Sequence, residues 1–523
     1  MTNSFKPNPM AERMPLARDK IRSLPDLAKL VADYKAAGET VVHCHGVFDL
    51  LHMGHVRHFE VARREGMRLV VTLTGDEYVN KGPGRPIFSE HLRAEMVAAI
   101  EYVDAVGINQ AATAEPVIAM IKPDVYVKGS DYENPDEDIT GKIAAERELV
   151  ESHGGRIVFT KDVTFSSSSL INRFLDVYDP AVRDYLDTIR TRGMAQQILD
   201  LVESVKDYKV LLVGDTIIDE YQFVSPMGKS PKENMIATLF RDRELFAGGV
   251  IAAANHVASM CAEVEVLTLL GMDDPYEHVV RDALQPNVRL SAIYRPEAPT
   301  TRKCRFVDVG YTRKLFEVYH MRDDPFGAKL ESDLRHALEA RLPYYDVVIV
   351  TDFGHGMITR ALIDLMTEKA RFLAVNAQSN SANMGFNFIT KYPRADYICI
   401  DAPEARWATG EKFRDIAEIA AEVLPSQIDC DRMIITHGAQ GCLVHEAGEE
   451  TLRIPAFTKT VVDTIGAGDA FLAVTSPLVA AGGNMEQVAF IGNAAGAIKV
   501  GIVGHRRSVE KTSLVKYLTA LLK

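Results

Sequence analysis

Short apolar runs alternate with amphipathic stretches along most of the chain. After Glu39 the runs TVVHCHGVF, MRLVVTLTG, AVGIN, PDVYVKG and GRIVFT are separated by helical patterns such as GHVRHFEVARREG and EHLRAEMVAAIEYV. Apolar runs spaced by helices predict parallel strands with helices on both faces. A second series, YKVLLVGD, VEVLTLLG, YDVVIVTDFG, RFLAVNA, DYICID and RMIITHG, follows the same alternation, with no repeat linking it to the first. Two different α/β domains are predicted rather than a duplication. Between about Ser169 and Lys206 the text is helical and polar, broken by Pro180 and Gly193, with no strand candidate. It reads as an interdomain connection. At the other end a polar arm precedes the amphipathic pattern IRSLPDLAKLVADYKAAG, which stops at Gly38. The expected organisation is an arm and helix over 1–38, a first domain over 39–175, a helical linker over 176–206 and a second domain over 207–523.

Composition narrows the class. Apolar residues make up 47% and charged residues 25% of the 523 positions, the balance of a soluble globular protein. Acidic residues outnumber basic ones 72 to 59 for a formal charge of -13, which argues against a general nucleic-acid or membrane surface. Anionic ligands must then be held by local sites. The six cysteines include no CxxC pair, which reads as buried thiols in a reducing compartment. The N-terminus lacks the apolar core of a signal peptide and no apolar stretch approaches a membrane span, so a cytoplasmic location is expected.

The stretch VVHCHGVFDLLHMGHVRHFEVAR places a strand, a glycine turn, and then His52 and His55 three residues apart at a helix start. Both imidazoles can face one point. A helix N-terminus already attracts phosphate, and two imidazole donors there suit a triphosphate whose α-phosphorus is attacked. Gly54 lets a nucleotide approach the backbone. His43, Cys44 and His45 look like metal ligands, but nothing nearby completes a set of three or four, and core packing or a ligand contact is the better reading. The order Gly46, Phe48, Asp49, His52, Gly54, His55 resembles the HxGH nucleotidyltransferase superfamily over about residues 20 to 175. The resemblance implies a Rossmann-like fold and phosphate-binding roles for Lys81, Arg85 and Arg93 in NKGPGRPIFSEHLRAEMV. It also implies nucleotide contacts from Lys128 and Gly129 in PDVYVKGSDY, and from Ser166 and Ser167 in FSSSS. His45 stands where relatives that activate heptose phosphate carry asparagine.

Near the C-terminus VVDTIGAGDAFLAV runs from a strand end through a Gly-rich turn into an apolar helix. The amides from Ile465 to Gly468 can form an anion hole for a transferring γ-phosphoryl group, and Asp469 can accept the proton of a sugar hydroxyl. Asp463, Thr464, Gly466, Ala467, Gly468, Asp469 and Phe471 match the signature of the ribokinase (PfkB) family. That resemblance covers Tyr208 to the end. It implies a ribokinase-like domain with a small β lid, substrate contacts from Asp215, Asp219, Gly248 and Gly249, nucleotide contacts near Gly438 and Asn493, and Glu404 organising water around magnesium. The chain departs from the family pattern at three places. Alanine (Ala252 or a neighbour) stands where the substrate loop has asparagine, Asn376-Ala377-Gln378 replaces Asp-Pro-Lys, and Asp401 replaces an asparagine. Removing a lysine and adding a carboxylate changes which anionic sugar can be held.

Together the two halves resemble the bifunctional heptose kinase/adenylyltransferase family with the domain order reversed. The implied activity is phosphorylation of a sugar or sugar phosphate by the C-terminal half and nucleotidyl transfer from ATP or CTP to a sugar phosphate by the N-terminal half, with Mg2+ as cofactor. Two alternatives stay open: a cytidylyltransferase acting on another sugar or polyol phosphate, and a kinase-like half that senses a ligand or dimerises without catalysis. The β-rich text TRKCRFVDVGYTRKLFEVYHM is expected to form the lid or its flank, and a homodimer is expected.

Overall fold

The computed structural model describes residues 16–79, 85–129, 142–160, 178–310, 313–458 and 460–522. They fall into two compact units, one up to Asp179 with Val515 onward, the other Pro180–Leu514.

The first unit holds a six-stranded sheet, every pair parallel, in the order β1-β4-β3-β2-β5-β6. Its strands are β1 (Ile21–Arg22), β2 (Val41–Gly46), β3 (Arg68–Thr74), β4 (Ala105–Asn109), β5 (Val125–Gly129) and β6 (Arg156–Thr160). β3 is buried from Leu69 to Thr74, as a strand covered on both faces must be. The chain steps outward from β2 through β3 to β4, then crosses back to place β5 and β6 on the other flank of β2. The carboxyl end of β2 is therefore a switch point where the following loops part and leave a crevice.

The helix Leu24–Ala36 is capped by Ser23, whose hydroxyl accepts from the Asp26 amide, and it buries Leu27 and Val31. Just ahead of it β1 pairs with β4. The segment expected to precede the first domain is thus part of its core, because Leu24, Leu27 and Val31 form one apolar face.

In the second unit nine strands run in the order β11-β10-β7-β14-β15-β16-β17-β18-β19. They are β7 (Lys209–Gly214), β10 (Glu263–Gly271), β11 (Val288–Arg295), β14 (Val347–Asp352), β15 (Leu373–Ala377), β16 (Tyr397–Asp401), β17 (Arg432–Thr436), β18 (Cys442–Glu446) and β19 (Leu452–Ile454). Only the β17-β18-β19 edge is antiparallel. β7 lies between β10 and β14, so a second switch point falls at Gly214.

A separate four-stranded sheet, β13-β12-β8-β9, is built from β8 (Thr216–Lys229), β9 (Ile236–Gly249), β12 (Arg302–Asp308) and β13 (Arg313–His320). β12 and β13 arise from the text read as a lid. The long antiparallel ribbon β8-β9 was not anticipated; its tip, SPMGKSPKEN, is polar and holds no apolar run.

Two boundaries differ from expectation. The stretch read as a linker forms helices Pro180–Thr191 and Ala195–Ser204, which bury Leu186, Ile189, Ile198 and Val202 in the second unit. Tyr185 lies against Phe457 and Phe490 there. At the far end, Val515 onward groups with the first unit instead of the second. In the first of these, polar residues concealed apolar faces at helical spacing.

Among the described residues no helix is long and apolar enough to cross a membrane. All six cysteines are buried free thiols.

Leu27 is fully buried, so Leu27→Ala should cost about 3 kcal/mol of the first unit's unfolding free energy. Urea denaturation followed by a signal from that unit measures it, and a loss below about 1 kcal/mol would place the helix outside the core.

Candidate active sites

At the first switch point β2 delivers Gly46 to a tight turn. A Cβ on Gly46 would come within 3.0 Å of the Phe48 ring. Phe48 itself sits at φ 48, a left-handed conformation that non-glycine residues adopt only when held there. Its ring is clamped against His55 (5.4 Å between centroids) and Phe59 (5.0 Å).

His52 caps the helix Met53–Arg64, and its Nδ1 accepts from the Gly54 amide at 3.0 Å. The His55 Nδ1 accepts more weakly, from the His52 amide at 3.4 Å. A nitrogen that accepts carries no hydrogen, so each neutral ring bears its proton on Nε2. The rings lie 4.1 Å apart, and burial holds His52 below the usual histidine pKa, which keeps it neutral. The Nε2 of His52 is buried with no partner among the described residues. Two adjacent N–H donors at a helix start suit phosphate oxygens.

The remaining residues expected here divide. Arg93 is fully buried and its guanidinium is spent on the protein: it donates to the carbonyls of Phe88 (2.9 Å), Val47 (2.5 Å) and Thr74 (2.9 Å) and to Asp76 (2.6 Å). Asp49 likewise accepts from the amides of Ile87 (2.8 Å) and Phe88 (3.2 Å). Both expectations of direct phosphate or nucleotide contact are corrected: these two charges fasten the loops around the histidines. Lys128 is committed to Glu146 at 2.8 Å inside the unit, although Gly129 at the end of β5 has open space around it. Arg85 is mostly buried beside Asp49, Tyr178 and Tyr517, and burial lowers its pKa. Lys81, Ser166 and Ser167 lie outside the described residues.

His43 and His45 share one strand face and both meet the Thr72 hydroxyl, at 2.7 and 2.8 Å. Burial pushes His43 down to about 3. The described residues hold no group of three or more side chains able to bind a metal. His58, which sequence reasoning passed over, meets the Thr160 hydroxyl at 2.9 Å, and burial lowers it to about 4.

In the second unit Gly466 opens the helix Ala467–Ala480 at φ 74, with Ala467, Gly468 and Asp469 in its first turn. A Cβ on Gly466 would strike the His505 ring at 2.6 Å. Asp463 anchors the turn: its carboxylate accepts from Tyr221 (2.7 Å), Lys314 (2.7 Å), the Gly504 amide (2.9 Å) and the Ile465 amide (3.1 Å). These donors hold it at about 2. Thr464 is exposed at the turn and contributes its carbonyl to the Ala467 amide at 3.3 Å. Asp469 is buried, no described group hydrogen-bonds its carboxylate, and burial raises its pKa.

Opposite stands Asp219 on β8, ion-paired with Arg305 and 3.3 Å from the His505 Nε2. Burial opposes its ionisation, but His505 and Arg305 together hold it well below the usual carboxylate range. Gly248 is obligatory there, because a Cβ would collide with the Asp219 carboxylate. Gly249, at φ 59, passes against the Asp215 carbonyl. Lys303 pairs in register with Asp219 and is buried. Lys303, Arg305 and His505 were missed, though the alternation in RKCR and the basic HRR were legible signals.

The Asp215 carboxylate is taken up by backbone amides. It accepts from the amides of Phe353 (3.1 Å), His355 (3.3 Å) and Met357 (3.4 Å), while burial and Asp352 push it up to about 6. Its expected substrate contact is corrected to fastening the loop after β14. Ala252 lines a cavity of about 690 Å³ with Phe246, His256, His278, His505 and Arg506.

Asp401 and Glu404 cap the helix Ala402–Thr409 reciprocally. Glu404 also accepts from the Ser379 amide at 3.1 Å, and burial beside Asp401 pushes it up to about 8. Asn376 donates to the Cys399 carbonyl at 2.8 Å. Gly438, at φ 52, opens the turn after β17. Asn493 turns inward to Cys442 and the Pro455 carbonyl, both at 3.4 Å.

A family model described as "pfkB family carbohydrate kinase" matches residues 207–512, and one described as "Cytidylyltransferase-like" matches 43–174. A protein named "Bifunctional protein HldE" from Syntrophotalea carbinolica is 39% identical over 163 residues, 31% of this chain and 32% of that protein. Its namesake from Geobacter metallireducens is 26% identical over 312 residues, 59% of this chain and 63% of that one. The one from Trichlorobacter lovleyi is 37% identical over 312 residues, 59% of this chain and 62% of that one. These matches span between about a third and just under two thirds of the relatives' lengths.

Arg93→Met should destabilise the first unit by about 3 kcal/mol, because three carbonyls and Asp76 lose a buried cation. Stability unchanged in urea denaturation, with nucleotide affinity lost, would return Arg93 to the ligand.

Proposed function

This chain belongs to the pfkB family of carbohydrate kinases, whose model matches more than half of it, and on that premise we propose a bifunctional enzyme of nucleotide-sugar synthesis. The second unit phosphorylates a sugar or sugar phosphate from ATP. The first transfers a nucleotidyl group from ATP or CTP to a sugar phosphate and releases pyrophosphate. The observation that best supports this reading is a pair of helix starts suited to phosphate: the adjacent imidazoles of His52 and His55 in the first unit, and the Gly466 turn with Asp469 in the second.

In the kinase reaction Asp219, fixed by Arg305 and His505, orients the sugar hydroxyls where Gly248 leaves room. Asp469 accepts the proton of the attacking hydroxyl as its oxygen bonds to the γ-phosphorus and ADP leaves. Unpaired amides of the Gly466 turn take the charge on the equatorial oxygens. Magnesium fits this chain through Asp401 and Glu404, two carboxylates side by side at one helix start whose affinity for a proton is raised mainly by burial. They would hold it through water, and it would neutralise nucleotide phosphate charge.

For nucleotidyl transfer the phosphate of the acceptor attacks the α-phosphorus. The Nε2 hydrogens of His52 and His55 stabilise the oxygens that gain charge. The homodimer expected from the sequence is supported by exposed apolar residues on the small sheet, among them Ile236, Phe240 and Phe316. Buried free thiols support a reducing, cytoplasmic setting.

The test is a matrix of ATP and CTP against sugars and sugar phosphates, with products read by mass spectrometry. Asp469→Asn should abolish phosphorylation alone and His55→Ala nucleotidyl transfer alone. Transfer from CTP without any phosphorylation across the panel would favour a cytidylyltransferase with a non-catalytic second unit. Because the Asp469 pKa is raised, the base is ionised only above that value. The kinase rate should therefore fall as pH drops through a point above the ordinary aspartate value of about 3.9; a rate flat down to that value would remove Asp469 from the role of base.

A further inference from the structure

Lys499 ends the helix Met485–Lys499 and is fully buried. Its ammonium donates to two carbonyl oxygens, those of Ile465 at 2.6 Å and Gly504 at 2.7 Å. Among the described residues it forms no ion pair. Asp463, Asp469 and Asp219 act on it from farther away, Lys314 opposes them, and burial pushes it down to about 8. A buried ammonium costs several kcal/mol unless its surroundings compensate, so an apolar residue would be the cheaper filling for this space.

What it holds explains its presence. Ile465 lies in the phosphate turn, and Gly504 lies in the loop whose amide reaches back to Asp463 at 2.9 Å. Asp463 in turn takes the Ile465 amide at 3.1 Å. Asp463, Ile465, Lys499 and Gly504 thus close a ring around the base of the turn. In a trans peptide the C=O and the N–H of one plane point in opposite directions. Drawing the Ile465 carbonyl onto Lys499 therefore turns the Gly466 N–H the other way, out of the turn.

We propose that Lys499 is a built-in monovalent cation: a positioning residue that aims the Gly466 N–H at the transferring phosphoryl group and sets a fixed positive charge behind it. The inference rests on reading the second unit as a kinase.

The experiment uses the full chain, with the sugar identified from the panel. Lys499→Ala should lower kcat by on the order of a hundredfold, the scale of a lost oxyanion donor, with a much smaller change in sugar KM. Potassium or ammonium ions should restore part of that rate by entering the vacated carbonyl cradle, and should leave the wild-type rate unchanged. Lys499→Gln keeps hydrogen-bond donors but no charge, so it should stay slow. Circular dichroism and thermal melts establish that each variant is folded; if Lys499→Ala is not, Lys499→Gln alone decides.

A wild-type rate in Lys499→Gln would overturn the role of the charge. A loss in Lys499→Ala that no monovalent cation relieves would reduce Lys499 to a structural tether. Absence of wild-type phosphorylation sinks the kinase reading instead. The inference is then decided by affinity for a non-hydrolysable ATP analogue, which should fall in Lys499→Ala and recover with potassium; unchanged affinity would overturn it.

Discussion

A helix begins with amide groups that have no partner inside the helix, and both sites are built on that deficit. In the first unit His52 answers one of these amides with its own Nδ1, which leaves its buried Nε2 hydrogen without a partner among the described residues. In the second unit Gly466 starts the helix in a left-handed conformation, which only a residue without a side chain can occupy against His505. The first of these turns follows the carboxyl end of β2, where the strand order reverses. Topology decides where a phosphate can be taken, and local chemistry decides what is done with it.

The turns stay open because buried charges hold them from behind. Arg93 and Asp49 in the first unit, and Asp215 and Lys499 in the second, make most of their hydrogen bonds with backbone groups, and Asp463 makes half of its own with them. A buried charge is costly alone, but several backbone partners compensate it and each fixes a loop in one place. The strain at Phe48 is tolerated on the same terms, since the ring is packed on two sides.

This division of labour explains what was legible in the sequence. Strands β2 to β6 of the first sheet and β7, β10, β14, β15, β16 and β17 of the second could be read, as could the two turns that open the site helices, because apolar runs and fixed glycine and histidine spacings leave direct traces; β1, β11 and the edge strands β18 and β19 could not. The roles of Arg93, Asp49 and Asp215 could not. A motif marks a residue type, whereas its role depends on how many backbone groups converge on it, and those come from segments far apart in the chain. Lys499 left no trace for the same reason: its partners are carbonyls, which every residue has. The β8-β9 ribbon was hidden by a polar tip, and the helices after Asp179 by polar residues around a narrow apolar face.

Two carboxylates near one turn have been pushed in opposite directions. Asp219 gains Arg305 and His505 and stays ionised, so it can only accept hydrogen bonds from a substrate. Asp469 gains no hydrogen bond and is raised by burial, so its affinity for a proton is greater. Groups separated in this way take different tasks: the low one orients, the high one exchanges a proton. The cations set the difference, since Arg305 touches Asp219 directly, while Lys499 is turned toward carbonyls and reaches Asp469 only at longer range. Had Lys499 paired with Asp469, that carboxylate would have held a proton less readily and the turn would have been left without its anchor.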